Sequence, residues 1–572
     1  MSGFNNDDEV NDLSIILNDV SINTTNDSII TTTISNTATN DDNNNDKHLI
    51  NVNLESILQY LSYNELLICT NVCKYWYDIL VSNNDTSRSF LWTPSYVQLV
   101  LPTENNIERC SSLLFNKLSR FDWRKKVKEV ANFIGSRVPI VIEEVLKRNN
   151  NEEDNSSKLR LASRSGHSAN TLIYSSSSSS TTKNDEIIVL FGGASHFFRF
   201  LNSFDIFRVE DGKIIASGLH AQGDIPSPRW LHSSVLVPNN ASINCHILND
   251  YHDTSNILIF GGQSDHQVED DIFMFNLRHN AENKLLNIDS MRLIAEGDKP
   301  CARAGHSLLL SNSSNPTSHK YILFGGSSNT VCLNDVYMLD VTCKSQNIEY
   351  FECPYHLKWT KLQCTGQTPL ERWCHSAVMR ENDYIVFGGW NYIRLQVQNQ
   401  VFCNDIHILN TETLSWTQLI TTGPPPMPRS QAPLFYIPSI MQNNDSKGYL
   451  LMFGGACHNN DLDANVDHPY GSVVIDLHDF KVFDLDTYTW LPITYTYPRF
   501  RGGVNAVVEC SRGLLMSGGM HSDHGMSQPR FINDVVVMRP VLGIYSKTKV
   551  EDTNNDFDSI SKTIRFYHSK CN

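Results

Sequence analysis

The sequence predicts a mainly all-β chain: a six-bladed β-propeller preceded by a small all-α region, a helical linker and a disordered N-terminal tail. Three observations lead there. Six apolar runs end in paired glycines, namely IIVLFGG, ILIFGG, YILFGG, YIVFGG, YLLMFGG and GLLMSGG, and successive pairs stand 63 to 69 residues apart. A second apolar run follows each pair, as in NDVYMLD (334–340), NDIHILN (404–410), HDFKVFD (478–484) and NDVVVMR (533–539), with NSFDIF and DDIFMF in the first two units. Between units a G-x-x-P-x-x-R turn leads into R-x-x-H.

Internal periodicity outranks any local motif, because it fixes the architecture within which the motif is read. Each unit holds about four short apolar runs bounded by Gly, Pro, Asn and Asp, the pattern of a small antiparallel sheet. One such sheet cannot bury both faces, whereas six arranged radially can. The glycines Gly192, Gly193, Gly261, Gly262, Gly325, Gly326, Gly388, Gly389, Gly454, Gly455, Gly518 and Gly519 suit strand ends at a crowded axis, where a Cβ would obstruct close approach. Trp359, Trp416 and Trp490 each open the last run of a unit and are large enough to fill the space between sheets. Units one and two carry Ala216 and Ser290 at that register, unit five has Ala432 in place of the histidine, and unit six ends without a tryptophan strand. A strand from elsewhere must complete the last sheet, either SKLRLA (157–162) or TIRFYHS (564–569).

Arg372, Trp373, Cys374 and His375 stand side by side, and a thiol beside an imidazole invites an enzymatic reading. The repeat argues against it. Arg164–His167, Arg229–His232 and Arg303–His306 are copies of the same motif, with Gly166, Leu231 and Gly305 where Cys374 stands. The arginines and histidines are expected to bond loop backbone between blades.

Composition narrows the function. The formal net charge is −16, and nine of the acids lie in residues 1–48 against one Lys47, so a duplex nucleic-acid binder with a basic face is not expected. The N-terminal sequence has no basic and apolar secretory pattern, and no apolar run approaches the length of a membrane span. Fourteen cysteines without a C-x-x-C pair suggest reduced thiols, and a cytosolic or nuclear protein is expected, without cofactor or membrane partner. Residues 1–48, rich in Asn, Thr, Ser and Asp, are expected to be disordered. In 93–156 the stretch FDWRKKVKEVANFI places Val127, Val130, Phe133 and Ile134 on one helical face, with the basic residues Arg124 to Lys126 and Lys128 largely elsewhere. The propeller is expected over 157–545, with 546–572 a tail.

Taken together, FGG, the ND run, W-x-x-L and P-x-x-R-x-x-H resemble kelch repeats over roughly 160–540. Residues 49–92 show Leu54, Ile57, Leu58 and Leu61 at helical spacing, then ELLICTNVCKYWYDIL. This segment resembles an F-box, matching at ILQYL (57–61), Leu66, Val72, Cys73, Trp76 and Leu91–Trp92; the family's Leu-Pro appears as Leu49–Ile50. The resemblance implies docking of a Skp-type adaptor on a cullin scaffold through Leu49, Leu54, Ile57, Leu58, Leu61, Leu66, Val72, Cys73 and Trp76. It also implies a propeller that holds a target protein for ubiquitination, without catalysis by this chain. A kelch interaction scaffold without a ubiquitin link is the other reading. A propeller copper oxidase would need a Tyr/Cys/His constellation that the cysteines do not form.

The loops after each glycine pair share one propeller face. Phe197, Phe198, Arg199, Trp390, Tyr392 and Arg394 on them are the candidate target-binding residues, since aromatics and arginine carry binding hot spots. Cys457, His458, Asp461, Asp463, Asp467 and His468, and the HSDHG of 521–525, gather ligand types at spacings that select no metal.

Overall fold

The computed structural model describes residues 161–175, 184–209, 214–238, 254–279, 286–311, 318–344 except 330, 355–391, 402–439, 446–458, 474–493 except 478, 506–521 and 530–540, with Lys126, Val127, Val130 and four outlying strands. The described residues are nearly all β and form a six-bladed propeller. Blade 3 shows the plan: Ser307–Leu310, Ser318–Phe324, Val336–Cys343 and Tyr355–Leu362 pair in order, each antiparallel to the next. Blades 1, 2, 4 and 5 repeat it.

Blade 6 is closed by a strand from an unforeseen place. Ala506–Cys510, Gly513–Ser517 and Val535–Pro540 are joined by Ile140–Glu144, in register Val536↔Glu144 to Pro540↔Ile140. This corrects both expected closures and takes part of 93–156 out of the predicted helical linker. The sequence IVIEE is β-branched and apolar at its start, so it suits a strand; it escaped notice because it carries no repeat motif. Leu161 and Ala162, within the expected closing run, are not in a strand: Leu161 packs between blades 6 and 1, and the Ala162 N–H donates to Asp205. Residues 564–569 lie outside the described residues.

The chain divides into two compact units, residues 1–134 with 441–445, and the propeller unit of residues 135–440 and 446–572. In that first unit Val20–Thr24, Ile30–Ile34 and Ile50–Val52 pair as an antiparallel sheet. Two of these strands fall in the tail expected to be disordered, where ITTTI is the local β-branched signal. Lys126, Val127 and Val130 are helical, as predicted, but Lys126 is buried along with the two valines rather than on a solvated face.

The core lies between blades. Trp359, Trp416 and Trp490 are buried against the FGG phenylalanine of the preceding blade: Phe260, Phe324 and Phe387, with ring centroids 5.2, 5.1 and 5.7 Å apart. Blade 2 fills the same space differently. Its Ser290 sits opposite Phe275, which contacts Phe191 of blade 1 at 4.7 Å; in blades 3 and 4 a leucine stands opposite the tryptophan. The large ring has moved to the neighbouring strand.

The R-x-x-H motif binds the ring together. Arg303 Nη1 donates to the Gly325 carbonyl at 3.0 Å and to Asp335 at 2.7 Å, with Nη2 on the second carboxylate oxygen. Arg229 with Asp271, Arg372 with Asp405 and Arg429 with Asp479 repeat this fork. In blade 1 Ser203 occupies the aspartate's position. Arg164 instead pairs with Asp205 at 2.8 Å, two residues along and so on the same face of the strand.

These guanidinium bonds lie within a blade; the arginine backbone joins blades. The second glycine of each pair donates its N–H to the next blade's arginine carbonyl: Gly193 to Arg229, Gly262 to Arg303, Gly326 to Arg372 and Gly389 to Arg429, all at 2.8–2.9 Å. Gly519 to Arg164, at 2.8 Å, makes the same bond from blade 6 to blade 1; the corresponding turn of blade 6 lies outside the described residues. Only glycine fits here. Gly261 and Gly262 have φ +63° and +99°, and a Cβ on Gly261 would stand 2.6 Å from the Arg303 carbonyl oxygen.

The histidines also act between blades, but on side chains: His232 Nε2 meets Ser168 Oγ at 2.9 Å, His375 meets Ser307 at 2.5 Å, and His167 meets Ser517 at 2.9 Å. Where Ala432 replaces the histidine, Ser376 of the preceding blade donates to the Ala432 carbonyl instead. A second backbone chain runs through residues of positive φ. Leu231 N–H donates to Gly166, Gly305 to Leu231, Cys374 to Gly305 and Gln431 to Cys374.

Three outcomes test this account. Asp335→Ala, which leaves Arg303 charged and buried, should cost about 3–5 kcal/mol in urea unfolding, whereas Arg303→Met with Asp335→Leu should recover much of that loss. His167, His232, His306 and His375 are held neutral by burial, aided by the neighbouring arginines, with His232 and His375 pushed down to about 3. The unfolded imidazoles take up protons near pH 6.5, so stability is intact above that pH and falls as pH drops toward 3. The slope is up to about 1.4 kcal/mol per pH unit for each histidine, visible in the urea midpoint. Burial pushes the Cys374 thiol up to about 12. Iodoacetamide at pH 8 should therefore modify exposed Cys301 and spare Cys374 in the native protein, and modify both in urea, by peptide mass spectrometry.

Candidate functional site on the loop face

The strand directions put the R-x-x-H turns and the loops after the glycine pairs at one end of every blade. In blade 1, Ala194–Ser195 and Arg199–Phe200 pair as a two-residue ribbon whose tip is the short 3-10 turn His196–Phe198. Phe198 has φ +53°, which turns its ring edge-on to Phe531 at 5.5 Å and to Trp230 at 6.0 Å. Phe200 stacks on Trp230 at 5.6 Å. Arg199 is exposed, and its carbonyl accepts from Ser195 Oγ.

Blade 4 carries a second aromatic group. Trp390 stacks on Phe402 at 5.4 Å and lies 5.5 Å from Trp373, while the Trp373 and Trp390 backbones exchange two hydrogen bonds. Trp230 and Trp373 are the variable residues of their R-x-x-H motifs, and each ring lies against the glycine of the preceding blade, Gly166 and Gly305. Between them Leu231, Val268, Ala304 and Cys374 form a buried apolar cluster.

Of the predicted target-binding residues, the structure places Phe198, Arg199 and Trp390 on this face. Phe198 and Trp390 are half-buried against neighbouring loops, and Arg199 is the most open. Phe197 lies in the 3-10 turn, its side chain outside the described residues, as are Tyr392 and Arg394. Sequence reading passed over Trp230, Trp373, Phe200, Phe402 and Phe531. The signal for the first two was present in RWLH and RWCH, but the repeat had absorbed them as structure. The predicted adaptor-binding residues Leu49, Leu54, Ile57, Leu58, Leu61, Leu66, Val72, Cys73 and Trp76 all lie outside the described residues.

Cys374 and His375, side by side in the sequence, do not form a nucleophile pair on this face. Cys374 is buried with its thiol protonated, and His375 Nε2 is engaged by Ser307, so the two form no thiolate–imidazolium pair. Among the described residues no group of three or more His, Cys, Asp or Glu could hold a metal ion. Cys457 and His458 lie on the strand Ala456–His458; Asp461, Asp463, Asp467, His468 and residues 522–525 are outside the described residues.

Two domain families match the chain. The KLHDC2/KLHL20/DRC7 Kelch-repeats domain matches residues 246–462, and the F-box domain matches residues 48–88. Host cell factor homolog hcf-1 of Caenorhabditis elegans is 30% identical over 226 residues, which are 36% of this chain and 24% of that protein. Rab9 effector protein with kelch motifs of Homo sapiens is 29% identical over 248 residues, 42% of this chain and 54% of that one. Kelch domain-containing protein 2 of Bos taurus is 27% identical over 197 residues, 31% and 44%. The chain thus spans from about a quarter to just over half the length of these relatives. Both domain types are typical of non-catalytic adaptors and interaction modules. The chain carries an F-box followed by kelch repeats that close into a six-bladed propeller, the domain content of an F-box/kelch protein.

Proposed function

We infer that this chain is the substrate-recognition subunit of a Skp–cullin–F-box ubiquitin ligase. The observation that carries the reading is the presence of an F-box at 48–88 in one chain with a propeller whose loop face bears two aromatic groups and an exposed arginine. The F-box segment docks a Skp-type adaptor on the cullin scaffold, and the loop face holds the target protein. Chemistry is then a matter of proximity. The target's lysine is held near the charged ubiquitin-conjugating enzyme, and the chain's contribution is effective concentration rather than a nucleophile. The site of action is cytoplasmic or nuclear, where that machinery operates.

The test is capture of the Skp-type adaptor from the same organism by the intact chain, compared with Leu58→Asp and Trp76→Ala. Both variants must keep the wild-type unfolding midpoint. Capture by the intact chain that both substitutions abolish is the expected result. No capture by the intact chain would favour a kelch scaffold without a ubiquitin link.

A further inference from the structure

At the end of the propeller opposite the loop face, a cleft of about 220 Å³ opens between blades 4 and 5. Its surroundings differ from the two preceding junctions, where a tyrosine ring crosses between blades. Three residues before the FGG phenylalanine, blades 3 and 4 carry Tyr321 and Tyr384, and each reaches across to the preceding blade. Tyr321 donates to the Leu236 carbonyl at 2.9 Å, and the Tyr384 hydroxyl meets Ser307 Oγ at 2.5 Å. Blade 5 has Leu450 there. The facing strand of blade 4 is also slighter: Thr417 stands opposite Ile408, where blade 2 has Met291 opposite Met274.

The walls differ in chemistry. The floor is apolar, made by Ile385, Ile408, Leu419 and Leu485. The rim gathers the donors Arg380, Asn410, Ser415, Thr417 and Lys447 beside one carboxylate, Asp383, which is paired with Arg380. Asn410 Oδ1 is occupied by the turn that follows it, accepting from the Glu412 and Thr413 N–H groups, so its amide NH2 remains as a donor. That NH2 and the hydroxyls of Ser415 and Thr417 have no partner among the described residues. The cations are unequal. Arg380 is engaged by Asp383 at 3.2 Å, Glu381 at 3.6 Å and the Lys447 carbonyl at 3.1 Å. Lys447 Nζ meets the Tyr488 hydroxyl at 3.3 Å and that residue's ring at 5.3 Å, and no carboxylate among the described residues pairs with it.

We propose that this cleft is a binding site for a small amphipathic carboxylate, the anion held by Lys447 and the rim donors and the apolar body laid on the floor between the blades. The volume exceeds the roughly 150 Å³ of a cavity that admits benzene, enough for one ring or branched chain with its headgroup. An ammonium held only by a tyrosine among the described residues, with the Asp383 carboxylate taken up by Arg380, favours an anion through charge-assisted bonds, and the apolar floor favours an organic anion over an inorganic one. The site lies at the opposite end of the blades from the loop face.

Phenylacetate is the probe, titrated by calorimetry into the full chain, with phenylacetamide and acetate as controls that remove the charge and the apolar body. Saturable binding at about 1 mM or tighter is expected for phenylacetate, with each control weaker by about tenfold or more. Lys447→Met should bind phenylacetate no better than phenylacetamide, while Lys447→Arg keeps the discrimination. Thr417→Met, which installs the side chain found in blade 2, should abolish binding of all three. Both positions are exposed, and unchanged unfolding midpoints separate lost binding from lost fold. No saturation by about 10 mM, equal binding of phenylacetate and acetate, or wild-type binding by Lys447→Met and Thr417→Met would overturn the proposal.

Discussion

Each R-x-x-H arginine is bonded at both ends, and the propeller depends on that double use. Its guanidinium forks onto an aspartate and a glycine carbonyl of its own blade, while its backbone carbonyl accepts from the glycine pair of the blade before. A blade is therefore fixed internally and to its neighbour through the same residue. Burial makes the arrangement demanding, since a charged group taken from water must have every partner in place. The paired glycines tolerate no side chain: the arginine carbonyl that the second one bonds lies where a Cβ on the first would go, and a Cβ on the second would meet the histidine and backbone of its own blade's R-x-x-H motif. The loop face inherits its geometry from this ring, because the variable residues Trp230 and Trp373 are each one position from a bonded arginine.

Much of this was legible in the sequence, because repetition turns a weak local signal into a strong one. The glycine pairs and the three tryptophans recur in order and take the expected places, whereas the R-x-x-H arginines, expected to bond between blades, bond within their own blade and cross only through their backbone carbonyls. What repetition could not reveal is compensation. Asp205 substitutes for the residue at 203, and Phe275 for the missing ring at 290, only because strand geometry brings them to the same face or the neighbouring strand. The closing strand Ile140–Glu144 was hidden for a related reason: it belongs to blade 6 by pairing alone. On the candidate site, Phe198 and Trp390 were readable as loop aromatics, whereas Trp230 and Trp373 were masked by the motif that contains them. The cleft between blades 4 and 5 was invisible, since its lining residues come from several separate strands and turns and share no motif.

The proposed division of labour follows from these parts. Blades stiffened by buried ion pairs and joined through arginine carbonyls present their loops as a preorganised surface, which lowers the ordering cost of holding a target. Loops that carry aromatics can vary from blade to blade while the arginine chain beneath them stays constant, so recognition and stability are set by different residues. An F-box in the same chain supplies the second connection that proximity requires.

The most direct measurement is quantitative proteomics in cells carrying the intact chain, a Trp230→Ala/Trp373→Ala variant, or a variant lacking residues 48–88. Our account predicts proteins that the intact chain captures, that the double variant loses, and whose abundance rises when either change is made. Proteins captured through the loop face whose abundance is indifferent to loss of the F-box would contradict it.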